Sequence, residues 1–415
     1  MSRRSLLQSF GRSVSVLTAS AAGILPARLW AADPKPKDGE DEEEEKKKST
    51  LVSDVERFGR GAIRIALLLP DIEGPFRFAA DAVLRGFQAA HQLDGEGIAV
   101  SVVRIEKDDF RNAASVYRRL ERQGFNMVVG PLTRSSVGAL SRLGELPIPT
   151  LALNLPGKDQ QIPGNCILFS MAIEFEGRSA ARFAFSEASH NTGGLRQPRA
   201  LVVSDKASLS TRSANAFMDA WQTFGGELEQ PIFRNVTRAS EMGSLLAGVR
   251  ADVVFVALQP TVLKAIRQAF SPSLPIYGTS QLNIGALLVQ ENSALLATPE
   301  LDGVRVVEMP WQVMPGHPAV AAYERSRRLP HLEMQRLYAF GIDSYRISRA
   351  LLNREERFEI DGVTGRLVLD AVVDPRVVRE PVLALYRDGI LIPAFDTAYA
   401  LPPEPVDDGK KKPRG

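Results

Sequence analysis

Residues 62–70, Ala-Ile-Arg-Ile-Ala-Leu-Leu-Leu-Pro, decide the fold class. A strand with one solvent face alternates apolar and polar residues. This run is apolar almost throughout, so it suits a strand covered on both faces, and Pro70, which has no N–H to give a neighbour, marks its end. The next segment has another period. Phe76, Ala79, Ala80, Val83, Leu84, Phe87 and Ala90 recur at steps of three and four and form one apolar helix stripe. Ile98–Ile105 then reads as a strand, Asn112–Gln123 as a helix closed by Gly124, and Met127–Gly130 as a strand. Ser135–Leu143 reads as a helix and Thr150–Leu153 as a fourth strand. Short buried strands alternating with amphipathic helices imply a parallel sheet with helices on both faces.

The pattern recurs. Arg199–Ser204, Glu227–Phe233, Asp252–Leu258 and Pro275–Gly278 read as strands, separated by helices at Thr211–Phe224, Glu241–Val249 and Thr261–Phe270. The fold class is therefore α/β, with two doubly wound Rossmann-like lobes. The expected division gives residues 61–170 plus 279–355 to the first lobe and 171–278 plus 356–398 to the second. In open α/β sheets ligands gather beyond the carboxyl ends of the strands. Here those ends are the loops 70–76, 131–136, 154–156, 204–208, 259–260 and 279–283.

Outside the body the chain changes character. Residues 1–32 have the order of an export signal: Arg3-Arg4, a weakly apolar stretch from Val14 to Ala27, then Ala31-Ala32 before Asp33. Ser2-Arg3-Arg4-Ser5-Leu6-Leu7 is close to a twin-arginine signal; an ordinary secretory signal with two adjacent arginines is the other reading. Residues 33–60 read as a charged linker, with an acidic run from Glu40 to Glu45 followed by Lys46-Lys47-Lys48, and 399–415 read as a loose tail. The expected location is the periplasm. No cysteine lies near the cut, so no lipid anchor is expected, and no segment of the mature chain reads as membrane-spanning.

The 415 residues carry a formal net charge of +2, but residues 1–31 contribute four arginines and no acid. Without them 47 basic residues face 49 acidic ones, which argues against binding nucleic acid by phosphate neutralisation. A single cysteine, Cys166, excludes an internal disulfide framework or a cysteine-based metal site, and it reads as a buried structural thiol. His91, His190, His317 and His331 have no ligand spacing, and neither a nucleophile elbow nor a phosphate loop is present. No cofactor is expected. Asp108-Asp109 and Glu174/Glu176 are paired carboxylates, explained most simply as helix caps and solvated surface.

The candidate ligand-binding residues are Ser135, Ser136, Asn154, Asp205 and Gln281. Ser135-Ser136 open a helix at the expected cleft, where free N–H groups and hydroxyls can hold a carboxylate; simple helix capping is the competing explanation. The others end strands at the same mouth, where they could line a pocket or only finish turns. Trp221 and Trp311 are candidate anchors for a protein partner, although Trp221 reads as packing inward from its helix.

These segments resemble a known family. Ile65–Pro70, Gly74-Pro75-Phe76, Val128–Thr133, Ala152-Leu153-Asn154 and Phe169-Ser170 running to Glu176 and Arg178 are similar to the LppC family, activators of penicillin-binding proteins. Arg336-Leu337, Gly341-Ile342-Asp343, Gly362–Gly365 and Tyr386–Gly389 continue the likeness in the right order. The resemblance implies a type I periplasmic-binding-protein clamshell. It also implies a class A penicillin-binding protein as partner, with no catalysis by this chain. A solute receptor for an amino acid or similar small anion is the alternative that the same scaffold supports. Well-known members carry a lipidated cysteine and a helical-repeat domain before the α/β domain; here the charged linker stands in that place.

Overall fold

The computed structural model describes residues 56–71, 73, 75–105, 113–285, 297–325, 329 and 331–394. The predicted export signal, residues 33–55 of the predicted linker, Asp108-Asp109 and the predicted tail lie outside them. The end of the predicted linker is instead a strand, Arg57–Gly59, because it pairs with the edge strand Ile98–Ile105.

The first stretch contains β1 (Arg57–Gly59), β2 (Ile63–Pro70), α1 (Arg77–Asp94), β3 (Ile98–Ile105), α2 (Ala113–Arg122), β4 (Met127–Val129), α3 (Arg134–Leu140), β5 (Glu145–Ala152) and β6 (Gly164–Leu168). Next come α4 (Ile173–Asn191), β7 (Arg199–Ser204), α5 (Ser208–Thr223), β8 (Glu227–Leu228), β9 (Ile232–Phe233), α6 (Ala239–Leu246), β10 (Val253–Ala257), α7 (Pro260–Ile266), β11 (Ile276–Gly278) and β12 (Val304–Glu308). The last part holds α8 (Pro310–Val313), α9 (Pro318–Ala321), α10 (Leu332–Leu352), β13 (Arg357–Asp361), β14 (Arg366–Asp370), β15 (Asp374–Glu380), β16 (Val382–Arg387) and β17 (Ile390–Pro393).

Two sheets result. The first runs β1-β3-β2-β4-β5-β6-β15-β14-β13, and the second β17-β16-β12-β11-β10-β7-β8, with β9 also on β7. Strands β2 to β6 are parallel, as are β7, β10, β11 and β12. The deciding stretch behaves as its composition requires: Ile65, Leu67 and Leu69 enter the core under α1 and α10, while Ala66 and Leu68 enter the core on the opposite face, with Tyr117 of α2 and Val137 of α3. In the second sheet Leu201 and Val203 face one core, and Ala200 and Val202 the other, against α4 and α5.

α1 and α10 touch backbone to backbone. A Cβ on Gly86 would stand 1.9 Å from the Tyr338 carbonyl, and one on Gly341 2.1 Å from that of Val83. Only glycine permits this approach.

The chain passes between the sheets three times: between β6 and α4, between β12 and α10, and at Pro381 between β15 and β16. The expected boundaries differ from this. Val304–Glu308, allotted to the first lobe, pairs with β11 and β16 in the second sheet, and Arg357–Glu380, allotted to the second, extends the first sheet from β6. Local patterning identifies a strand but not the sheet that receives it.

Smaller differences have local causes. β5 starts at Glu145 despite Pro147 and Pro149, because both prolines are exposed while Leu146 and Ile148 point inward. The predicted strand Glu227–Phe233 is two short strands separated by a break containing Pro231. Trp221 and Trp311 are fully buried and offer no exposed anchor. Their ring nitrogens donate to Glu227 O and Gln335 Oε1. Cys166 is buried, and burial pushes its thiol up to about 12.

Candidate functional site

The five residues predicted to bind a ligand stand at strand ends of both sheets. Around α3 the hydroxyls serve one another. Thr133 is the N-cap, and its Oγ1 accepts from Ser136 N at 3.3 Å. The same hydroxyl donates to Ser136 Oγ at 2.8 Å and lies 3.2 Å from Ser135 Oγ. Asn154 joins this loop by donating to Leu132 O at 3.0 Å, and its Oδ1 accepts from Leu155 N. Asp205, after β7, accepts from Ala207 N at 2.9 Å and so finishes a turn. Gln281, after β11, differs: its Oε1 is buried and accepts nothing from any described residue. The structure thus brings Ser135, Ser136 and Asn154 together, while Asp205 and Gln281 belong to the other sheet.

A second constellation lies where the chain passes between sheets. Arg336, in the second turn of α10, reaches across to Glu308 at the end of β12, with Nη2 2.6 Å from Oε2. Both side chains are almost wholly buried, at 4% and 0% exposure. Glu308 Oε2 also accepts from Asn283 Nδ2 at 2.7 Å and Oε1 from its neighbour Met309 N at 3.0 Å. The same Arg336 Nη2 donates to Ser280 O at 2.9 Å, and Ser280 N donates to Glu176 Oε2 of α4 at 2.9 Å. Glu176 Oε1 then accepts from Arg379 of β15 at 3.2 Å.

From Arg379 the connection continues to Thr364 O at 3.3 Å. Residues Gly362–Gly365 wrap a carboxylate: Asp343, fully buried on α10, accepts from Val363 N, Thr364 N and Thr364 Oγ1 at 3.1, 2.8 and 2.7 Å. The glycines are required there. A Cβ on Gly362 would meet Asp343 Oδ2 at 2.7 Å, and Gly365, at φ +136°, would place one 2.3 Å from Glu380 O. A third crossing pair joins Arg182 of α4 to Glu380 at 3.3 Å.

The electrostatics follow from this burial. Burial alone would lower the Arg336 pKa, but Glu308 and Glu333 beside it outweigh that and raise it, so the guanidinium stays charged. Burial raises the Asp343 carboxyl above its ordinary value, opposed by Arg346 and by its three donors. In the first turn of α4, burial works against the Glu174 carboxylate, yet its two-point pair with Arg212, at 2.7 and 2.9 Å, holds it below the usual range. The paired carboxylates Glu174 and Glu176 are therefore ion-paired, not solvated caps. Among the described residues no group of three His, Cys, Asp or Glu side chains could hold a metal ion.

The family model described as "LppC putative lipoprotein" matches residues 60–389. This chain belongs to the LppC family. Among LppC relatives, the penicillin-binding protein activator LpoA of Yersinia pseudotuberculosis is 25% identical over 430 residues, covering 83% of this chain and 63% of the relative. The LpoA of Glaesserella parasuis is 25% identical over 344 residues, covering 80% of this chain and 54% of the relative. The chain thus spans less than two thirds of the length of these relatives. The C-domain of LpoA from Haemophilus influenzae, named as a regulator of PBP1A, superposes with a TM-score of 0.62 at 21% identity over 80% of this chain and 99% of that one. A "putative branched-chain amino acid ABC transporter" from Chromobacterium violaceum gives the same TM-score at 32% identity, over 78% of this chain and 99% of that one. The fold is the two-lobed clamshell of type I periplasmic binding proteins.

The residues that build the crossing constellation were missed as a site. Glu176, Arg336, Asp343 and Gly362–Gly365 carry the family resemblance, but none of them stands at the parallel-strand ends where ligands are expected. A signal was available: ionisable residues set in apolar surroundings, as Arg336-Leu337 and Ile342-Asp343 are, require buried partners.

Proposed function

We propose that this chain is a non-enzymatic periplasmic protein that raises the activity of a class A penicillin-binding protein by direct contact, and so regulates peptidoglycan synthesis. The observation that carries this reading is the family match across residues 60–389, with relatives named as penicillin-binding protein activators. The chemistry agrees. The hydroxyls at α3 are engaged with one another and the buried carboxylates with arginines or backbone, which suits a scaffold better than a catalyst. Such a protein activates by binding one conformation of its partner more tightly than another. Adding the purified protein to a glycan-polymerisation assay, with a pull-down from envelope extracts, tests it. A rate increase with co-purification is expected; absence of both binding and a rate change would reject it. Among the described residues no helix is long and apolar enough to cross a membrane.

Gln281 supports a second reading, a receptor for an amino acid or similar small anion. Its buried Oε1 has no partner among the described residues, at a strand end where ligands gather. A thermal-shift screen with amino acids and wall fragments tests this. A stabilising ligand should lose its effect in Gln281→Ala and in Ser135→Ala with Ser136→Ala; a flat screen would count against the reading.

A further inference from the structure

Two-lobed proteins that close on a ligand rotate about a few connecting residues whose backbone angles are free to change. Here each connection is held. In the second, Trp311 is fully buried, its N–H donates to Val363 O at 2.9 Å, and its indole nitrogen donates to Gln335 of α10. At the third, Glu380 is held by Arg182 of α4 while Gly365 packs against its carbonyl. Beside the first, Glu176 lies one turn into α4, bonded to both Arg379 and Ser280.

These bonds form a closed circuit. It leaves α10 at Asp343 and passes through the 362–365 loop, Arg379, Glu176 and Ser280. It then returns to α10 at Arg336, which also holds Glu308. α10 packs on α1 in the first lobe, whereas Glu176, Ser280 and Glu308 sit on elements of the second. Tilting one lobe against the other would pull apart buried charges that lie within about 3 Å of each other. Each separated charge would be left without water or partner, which is far costlier than parting a solvated pair.

We propose that this circuit clamps the two lobes at a single angle, so that the protein meets what it binds as one rigid body and does not close around it. The proposal rests on the fold and not on the identity of the partner.

The test is a distance distribution between spin labels at Leu93→Cys on α1 and Leu195→Cys beyond α4, both exposed, in the full chain carrying Cys166→Ala. The expected result is one narrow distance, unchanged by millimolar leucine or glutamate. Two populations, or a shift on adding either amino acid, would overturn the clamp. The paired variant Glu308→Gln with Arg336→Met removes both charges together and leaves no orphan; it should at least double the width of the distribution. Glu176→Gln with Arg379→Met provides an independent second opening of the circuit. A folded pair, checked by circular dichroism, with unchanged width would also overturn the clamp. If neither pair folds, the distribution of the parent chain decides alone.

Discussion

The rim at α3 and the seam between the lobes use polar residues in opposite ways. At the rim, Thr133, Ser135 and Ser136 are neutral, adjacent in sequence and bonded among themselves, so each is an inexpensive local arrangement. At the seam, Arg336 meets Glu308 across 28 residues of chain and Arg379 meets Glu176 across 203, with every side chain ionisable and buried. Local hydroxyl networks finish an element; long-range buried ion pairs fix how elements made far apart are mutually placed. The seam is therefore where this molecule is least tolerant of change.

The largest expected effect breaks the seam. Glu308→Ala leaves Arg336 buried without its principal partner and should cost about 3–5 kcal/mol in urea unfolding. A cost near that of a rim substitution would erase the contrast. Asp343→Asn keeps one acceptor oxygen for three donors and should lose about 1–3 kcal/mol in the same measurement. On the rim, Thr133→Ala removes the cap of α3 and should cost about 1 kcal/mol. Ser135→Ala, half-buried with only a 3.2 Å hydroxyl contact, should stay within about 0.5 kcal/mol.

The smallest effect is in the pH dependence, and two acids oppose each other there. The folded Glu174 pKa is depressed, so its stabilising contribution is full above the ordinary carboxylate range and fades as pH falls through the folded value. The folded Asp343 pKa is raised, so its contribution is full below that range and is lost as pH rises through the folded value. Unfolding free energies measured from about pH 3 to about pH 7 should therefore show a weaker acid limb in Arg212→Met. In Asp343→Asn the loss of stability towards neutral pH should be smaller.

In the first lobe residues 62–153 were legible because their cues are local: an unbroken apolar strand, a stripe at helical spacing and glycine stops such as Gly124, at φ +72°. α4 was not, since it is buried against α5, the second sheet and β15 and so shows no single apolar face. Strand exchange was also invisible, because nothing in Val304–Glu308 or Arg357–Glu380 marks the sheet that takes it. The site was legible to the same degree. Capping at α3 was legible in kind, though Thr133 performs it and not Ser135-Ser136, whereas the pairing of Glu176 with Arg379 exists only once the lobes are joined. Asp343 and Gly362–Gly365 could be recognised as a recurring pattern, but their purpose needed the geometry.

The late strands carry one more implication. β13–β15 finish the first sheet and β16–β17 the second, yet all five come from residues 357–393. Until residues 357–393 have been made, a nascent chain therefore holds two incomplete sheets, with β6 and β12 as bare edges. Such edges invite wrong pairing. Cutting the gene after residue 355 would yield no independent half-molecule, only a polypeptide with two unfinished edges prone to aggregate.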